Sequence, residues 1–377
     1  MAAELLFPTG IANGEAFCNR VWERENLKKK IFANDHTVLV APRRYGKTSL
    51  ITQVLQENNL PHCLIDLLLA TDAQFVKTAI LEGIGNILSL ILPKSQQLKN
   101  KVLNLLVRLR PQITMGVLGQ NVTLSTPEPA KTSIIEGLLG LDKVAQTLNQ
   151  RVVVVLDEFQ QLAKLADQHV LEATIRHVVE RSHNVTYLFS GSNRTLLTEM
   201  FSESSQPLYH LCSLMHLERI ANKEYVNFIQ MAAKLRWRKT IDPEAIQAIL
   251  TLTVCHPYHV NVVCKRLWEQ NQIPYLDLVH TIWLEYLKEQ RAFIINELGD
   301  LTVNQRKVLL GLARNSVGEL QSKEFCTVIG LTPASVKKAA VFLQKQDYIY
   351  LVEDATYQVL NPVLLAYLKQ IQTTALE

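Results

Sequence analysis

Thr37-Val38-Leu39-Val40, then Ala41-Pro42-Arg43-Arg44-Tyr45-Gly46-Lys47-Thr48, then Ser49-Leu50-Ile51-Thr52-Gln53-Val54-Leu55 spell a strand, a phosphate-cradling loop and a helix. Such a loop curls backbone N–H groups around a β-phosphate, sets the Lys47 ammonium on the β/γ oxygens and offers the Thr48 hydroxyl to Mg²⁺. The phosphates then lie at a helix N-terminus, whose dipole favours anions. The pattern usually opens with Gly, and Ala41 stands there instead. Ala tolerates positive φ poorly, but an extended backbone can serve at this position, so the loop can absorb the change. Pro42, Arg43, Arg44, Tyr45, Gly46, Lys47, Thr48 and Ser49 are therefore the candidate nucleotide contacts. A Lys-Thr helix start that binds nothing is the competing reading, and a second motif argues against it.

That motif is Arg151-Val152-Val153-Val154-Val155-Leu156-Asp157-Glu158. Its apolar run reads as a strand covered on both faces of a parallel sheet. Asp157 and Glu158 emerge at its C-terminal end, the edge at which doubly wound sheets bind ligands. There Asp157 can reach a Mg²⁺ shell and Glu158 can orient and polarise an attacking water. An Asp-Glu pair also simply begins helices, and Gln160-Gln161-Leu162-Ala163-Lys164-Leu165 has a helical pattern. A third run, Val185-Thr186-Tyr187-Leu188-Phe189, ends in Ser190-Gly191-Ser192-Asn193-Arg194. Ser190, Ser192 or Asn193 is a candidate partner of the γ-phosphate or the lytic water, and an ordinary turn has the same composition.

Phe17-Cys18-Asn19-Arg20 with Glu23 and Glu25, the loop from Pro42 to Leu50, Leu156-Asp157-Glu158-Phe159-Gln160, Phe189-Ser190-Gly191-Ser192 and Gln206-Pro207-Leu208-Tyr209 also occur together. In this combination the chain resembles the archaeal-type ATPase family, P-loop NTPases related to AAA+ and signal-transduction ATPases. The resemblance implies ATP with Mg²⁺, a RecA-like core, a helical lid and often a C-terminal winged helix. It places Phe17 and Arg20 near the adenine and ribose, and Pro257, in Cys255-His256-Pro257, where the family carries Gly-x-Pro near the base. Cys255 departs from that glycine. A second departure is Tyr209-His210-Leu211, where the family tends to have an arginine able to act as a finger; Arg194 or Arg219 is the replacement candidate. P-loop hydrolysis without a cationic finger is about 10³- to 10⁵-fold slower, so a slow, switch-like ATPase is expected. Cys255, His256, His259 and Cys264 cluster in sequence without the paired spacing of a structural zinc site, so the only metal ligands expected are Thr48 and Asp157.

The chain has 377 residues, 48% of them hydrophobic, enough for two or three domains with sizeable cores. Its 39 basic and 35 acidic residues leave a net charge of +4, too small an excess to imply nucleic acid. Six scattered cysteines form no framework and suit a reducing cytosol. The start, Met1-Ala2-Ala3-Glu4-Leu5-Leu6-Phe7, lacks the basic and apolar regions of a signal peptide. No apolar run approaches the roughly 20 residues of a membrane span. A cytoplasmic protein is expected.

The patterning predicts an α/β architecture: residues 1–217 as a P-loop core with a parallel sheet, 218–298 as an α-helical lid and 299–377 as a winged helix-turn-helix. Strands are expected at 37–40, 63–67, 152–156, 185–189 and 215–217, with an insertion at about 95–130. The insertion reads as a helix basic on one side, 96–110, and a hairpin of 113–115 and 120–124 flanking Gly116 and Gly119. In the tail, Thr302 caps a helix to Arg314, Ser322 precedes a second helix to Ile329, Thr332-Pro333 opens a third to Lys345, and 348–352 with 356–359 forms the wing. The third helix offers Ser335, Lys337, Lys338, Gln344 and Lys345 to a DNA groove. Asp347, Glu353 and Asp354 oppose phosphate, and no Arg stands on that helix, which favours protein docking. The expected function is a Mg-ATP-binding, ATP-hydrolysing regulatory or remodelling ATPase driven by domain closure, with a protein partner, DNA or a homo-oligomer as candidate associates. The alternative is a nucleotide-gated scaffold or DNA-binding regulator with little turnover.

Overall fold

Val152 to Leu156 are buried on both faces, as a central strand of a parallel sheet requires. The computed structural model of the chain describes residues 6–92, 114–118, 121–125, 130–352 and 355–374. They fall into two compact units. The first comprises Arg20–Arg43 and Lys47–Leu217. In chain order it holds α1 (Val21–Phe32), β1 (Thr37–Val40), α2 (Lys47–Glu57), β2 (His62–Asp66), α3 (Ala73–Ile91), β3 (Thr114–Leu118), β4 (Asn121–Ser125), α4 (Ala130–Thr147), β5 (Val152–Asp157), a 3₁₀ turn (Phe159–Lys164), α5 (Gln168–Val179), β6 (Val185–Gly191), α6 (Arg194–Ser202) and β7 (Ser213–His216).

Five strands pair in the order β2-β5-β6-β1-β7, every pair parallel. These are the five expected runs, with ends displaced by at most two residues. The register sets Val40 beside Gly191, Leu156 beside Phe189 and Asp66 beside Asp157. One edge of the sheet thereby receives the loop after β1, the carboxylates after β5 and the serines of β6. The start of β6 is fixed by Asp142 of α4, whose Oδ1 accepts from the N–H groups of His183, Asn184 and Val185 at 3.0, 2.8 and 2.9 Å.

The helix expected from Gln160 is a 3₁₀ turn, and α5 begins only at Gln168. Phe159 explains the tight turn: its ring is fully buried, edge-on to Phe189 at 4.8 Å and beside Phe201 at 5.8 Å. Burying one such ring is worth about 1.5–3 kcal/mol, more than the preference of a few polar residues for α-helix. The insertion's hairpin is present as β3 and β4, but Gly116, expected in the turn between the strands, pairs with Thr123 inside the ladder. The basic helix expected at 96–110 lies outside the described residues, as do Glu353 and Asp354.

The second unit comprises Met1–Asn19, Arg44–Gly46 and Glu218–Glu377. After a 3₁₀ turn (Gly14–Ala16) it holds α7 (Asn222–Trp237), α8 (Pro243–Thr253), α9 (Pro257–Glu269), α10 (Leu276–Gly299), α11 (Val303–Arg314), α12 (Lys323–Ile329), α13 (Pro333–Lys345), β8 (Ile349–Leu351), β9 (Tyr357–Val359) and α14 (Pro362–Thr374). Helix starts are written in the sequence. Thr302 and Gln305 form a capping box for α11, while Ser322 and Thr332 cap α12 and α13. Helices α11 to α13 with the antiparallel β8–β9 hairpin make the winged-helix arrangement that follows the helical lid. One apolar core runs from Phe7 through Trp268 and Leu298 to Leu309 and Leu364. The N-terminal segment belongs to it: Phe7 packs edge-on against Trp268 at 4.7 Å and Phe228 at 5.6 Å. Among the described residues no single helix is long and apolar enough to cross a membrane.

Candidate nucleotide site

The loop after β1 leads directly into α2, so Lys47 and Thr48 occupy a helix N-terminus. Its positive φ angles fall on Arg44 (65°) and Gly46 (86°), not on Ala41, which is why Ala stands at position 41 without backbone strain. Lys47 is buried, and its Nζ donates to the carbonyls of Ala41 and Pro42, 3.0 Å each. The ammonium thus sits against the loop it is expected to serve. Ser49 is buried on the next position of the helix.

Thr48 Oγ1 donates to Asp157 Oδ2 at 3.0 Å, joining residues 109 positions apart. The other carboxylate oxygen, Oδ1, accepts from Ser190 Oγ at 2.5 Å and from the Glu158 N–H at 3.0 Å. Asp157 is therefore held on three sides. Glu158 takes a left-handed backbone, φ 52° and ψ 36°, that ends β5 and opens the 3₁₀ turn. Its Oε2 accepts from Ser192 Oγ at 2.8 Å and from Gln160 Nε2 at 2.5 Å. The three polar residues at the end of β6 and just beyond it thus separate: Ser190 serves Asp157, Ser192 serves Glu158, and Asn193 caps α6 by accepting from the Leu196 N–H at 3.0 Å. Arg194 is the first residue of α6. Arg20, buried and left-handed at φ 50°, donates to Glu23 at 2.7 Å.

In the second unit the loop segment Arg44–Gly46 meets side chains of the lid. The Arg44 guanidinium stacks over the Tyr258 ring at 4.0 Å. Tyr45 is fully buried, its ring 5.0 Å from His256, and its hydroxyl accepts from Arg219 Nε at 3.1 Å. Arg219 also donates to the carbonyls of Val254 and Leu360 at 2.9 and 2.8 Å and lies 4.9 Å from the Tyr350 ring. Pro257 is the first residue of α9, and the turn before it carries left-handed Val254 and Cys255, φ 49° and 52°. Phe17 closes the short 3₁₀ turn at Gly14. His259 Nδ1 bonds the Tyr286 hydroxyl at 3.0 Å. Burial pushes His259 down to about 3, with the positive Arg44 and Arg219 adding to it. Burial likewise drives His256 well below the usual range, with His259, Arg219 and Arg44 adding. Among the described residues no three His, Cys, Asp or Glu side chains gather as a metal-binding group.

Two contributors escape the sequence reading. Gln160 was visible only as part of a motif, and its reach back to Glu158 depends on the tightness of the 3₁₀ turn. Arg219 was visible only as a spare cation; its partners lie 35 to 174 positions away and leave no local signal.

No family model matches the chain, and no curated protein matches it. Solved structures do. The chain is similar to the Walker-type ATPase of Pyrococcus abyssi, with TM-score 0.71 at 18% identity over 97% of this chain and 99% of that one. It is also similar to the ORC2 protein of Aeropyrum pernix in its ADPNP–ADP complexes, with TM-score 0.57 at 15% identity over 99% of both chains. The chain therefore shares the fold of these two proteins along nearly its whole length.

Proposed function

We propose that this chain binds Mg-ATP and hydrolyses it slowly, as a regulatory or remodelling ATPase. The observation that carries the reading is the hydrogen bond between Thr48 of the phosphate loop and Asp157 at the end of β5. It joins the two motifs on one sheet edge, beside the Lys47 ammonium and the Glu158 carboxylate. The donor set suits Mg²⁺, a hard cation bound by oxygen: a hydroxyl and a carboxylate face each other at 3.0 Å, and the carboxylate is fixed from its other side by Ser190. Thr48 and Asp157 would hold the ion, which when bound neutralises charge on the phosphate oxygens. Lys47 and the loop N–H groups would grip the β- and γ-phosphates, and Glu158 would orient the attacking water. Arg43, Arg44, Phe17, Arg20 and Pro257 are the further nucleotide contacts in this reading, and Asn193 and Arg194 stand by at the head of α6.

Slow turnover is favoured by Arg219. Its guanidinium is engaged with Tyr45, Val254 and Leu360, which is the arrangement of a structural tie and not of a finger free to reach a transition state. Nucleotide-driven domain closure, with a partner responding to it, is the working mode this implies. The exposed side of α13 carries Lys337, Lys338 and Lys345 together with Val341 and Phe342, 57% and 40% exposed. That mixture of cations and exposed apolar side chains supports protein docking over DNA. Calorimetric titration with ATP and Mg²⁺ tests the reading: wild type is expected to bind and Lys47→Ala to lose binding, whereas absence of binding by wild type would overturn it.

A further inference from the structure

The turn after β5 contains a polar side chain with no assigned task. Gln160 is 2% exposed. Its Nε2 donates to Glu158 Oε2 at 2.5 Å and lies 3.5 Å from Ser192 Oγ, which donates to the same Oε2 at 2.8 Å. Two donors therefore converge on one carboxylate oxygen of Glu158, and Oε1 is left clear of both.

The other end of the amide is as informative. Gln160 Oε1 is buried and accepts no hydrogen bond within the protein. It rests against the bare Cα of Gly191, where an added Cβ would stand 1.8 Å from it. Gly191 does not take a positive φ, so glycine here supplies room and not backbone freedom. A buried amide oxygen without a partner is destabilising, and an apolar side chain would pack this position without that cost. The fold tolerates the loss only with a compensating use for the donor end.

We infer that Gln160 is a positioning residue for hydrolysis: with Ser192 it pins Oε2 of Glu158, so that Oε1 faces the attacking water, and Gly191 provides the space for its amide. The inference rests on the ATPase reading of the same site. An unpinned carboxylate rotates about a broad terminal torsion, and orientation of the water then depends on chance alignment. Pinning one oxygen removes that freedom while keeping the other as acceptor.

The test is phosphate release and ATP binding by wild type, Gln160→Ala, Gln160→Glu and Gly191→Ala, each checked for wild-type melting. Gln160→Ala and Gly191→Ala are expected to lower kcat about 10- to 100-fold with KM and ATP affinity unchanged. Gln160→Glu keeps the length of the side chain but replaces its N–H donor with a carboxylate that cannot donate to Oε2. It is expected to lose kcat to the same extent with ATP affinity unchanged, a split between turnover and binding that a merely structural role does not produce. Should Gly191→Ala fail to fold, the two Gln160 variants decide. A wild type that turns over while Gln160→Ala and Gln160→Glu both keep its kcat overturns the positioning role alone. A wild type with no turnover overturns the ATPase reading and this inference with it.

Discussion

The Arg219 guanidinium donates to the Tyr45 hydroxyl at 3.1 Å, two positions before Lys47, while its other nitrogens hold Val254 O before α9 and Leu360 O after β9. One side chain thus ties the Arg44–Gly46 segment to the turn before α9 and to the end of the wing. Tyr45→Phe removes one of these bonds and is expected to cost about 1 kcal/mol; Arg219→Ala removes all three and is expected to cost about 2–4 kcal/mol. Urea unfolding at fixed m-value measures both, and equal midpoints for the two variants would contradict the shared tie.

Stability of the same region is expected to fall in acid. Folded His259 titrates at about 3 and folded His256 well below 6.5, whereas both ordinarily titrate near 6.5. Between those limits the unfolded chain binds more protons than the folded one. Stability is therefore full above pH of about 6.5 and declines as pH falls toward about 3, by up to about 1.4 kcal/mol per pH unit for each histidine. Comparing urea midpoints at neutral and mildly acidic pH for wild type and for His256→Gln with His259→Gln checks this. The double variant is expected to lose less, and an equal loss would assign the acid sensitivity elsewhere.

Cys255 occupies a left-handed conformation, φ 52°, that glycine adopts freely. A non-glycine residue there costs about 1–2 kcal/mol, partly offset by the greater entropy of glycine in the unfolded chain. Cys255→Gly is expected to raise the melting midpoint, corresponding to a gain of about 0.5–1 kcal/mol. A lowered midpoint would mean that packing of the half-buried thiol outweighs the backbone term.

Much of this architecture is legible in the sequence because local rules and burial agree. The apolar runs ending in Asp157 and Ser190 could only be central strands, and Thr302, Ser322 and Thr332 announce their helices. The reading missed α14, which follows the wing, although it had a signal: Asn361 Oδ1 accepts from the Val363 N–H at 2.9 Å, with Pro362 at the first helical position. Where the reading failed, a distant contact overrode a local preference. The 3₁₀ turn at Phe159 follows from aromatic packing between β5, β6 and α6. The packing of Phe7 on Trp268 likewise spans most of the chain and has no counterpart in spacing or composition.

In the proposed mechanism Glu158 is the residue on which hydrolysis, as distinct from binding, depends. Glu158→Gln keeps the size of the side chain and removes its ability to accept a proton, so ATP binding in the presence of Mg²⁺ is expected to stay within about twofold of wild type while phosphate release falls by about 10²- to 10⁴-fold. Phosphate release by Glu158→Gln at the wild-type rate, with binding intact, would contradict a water-activating Glu158.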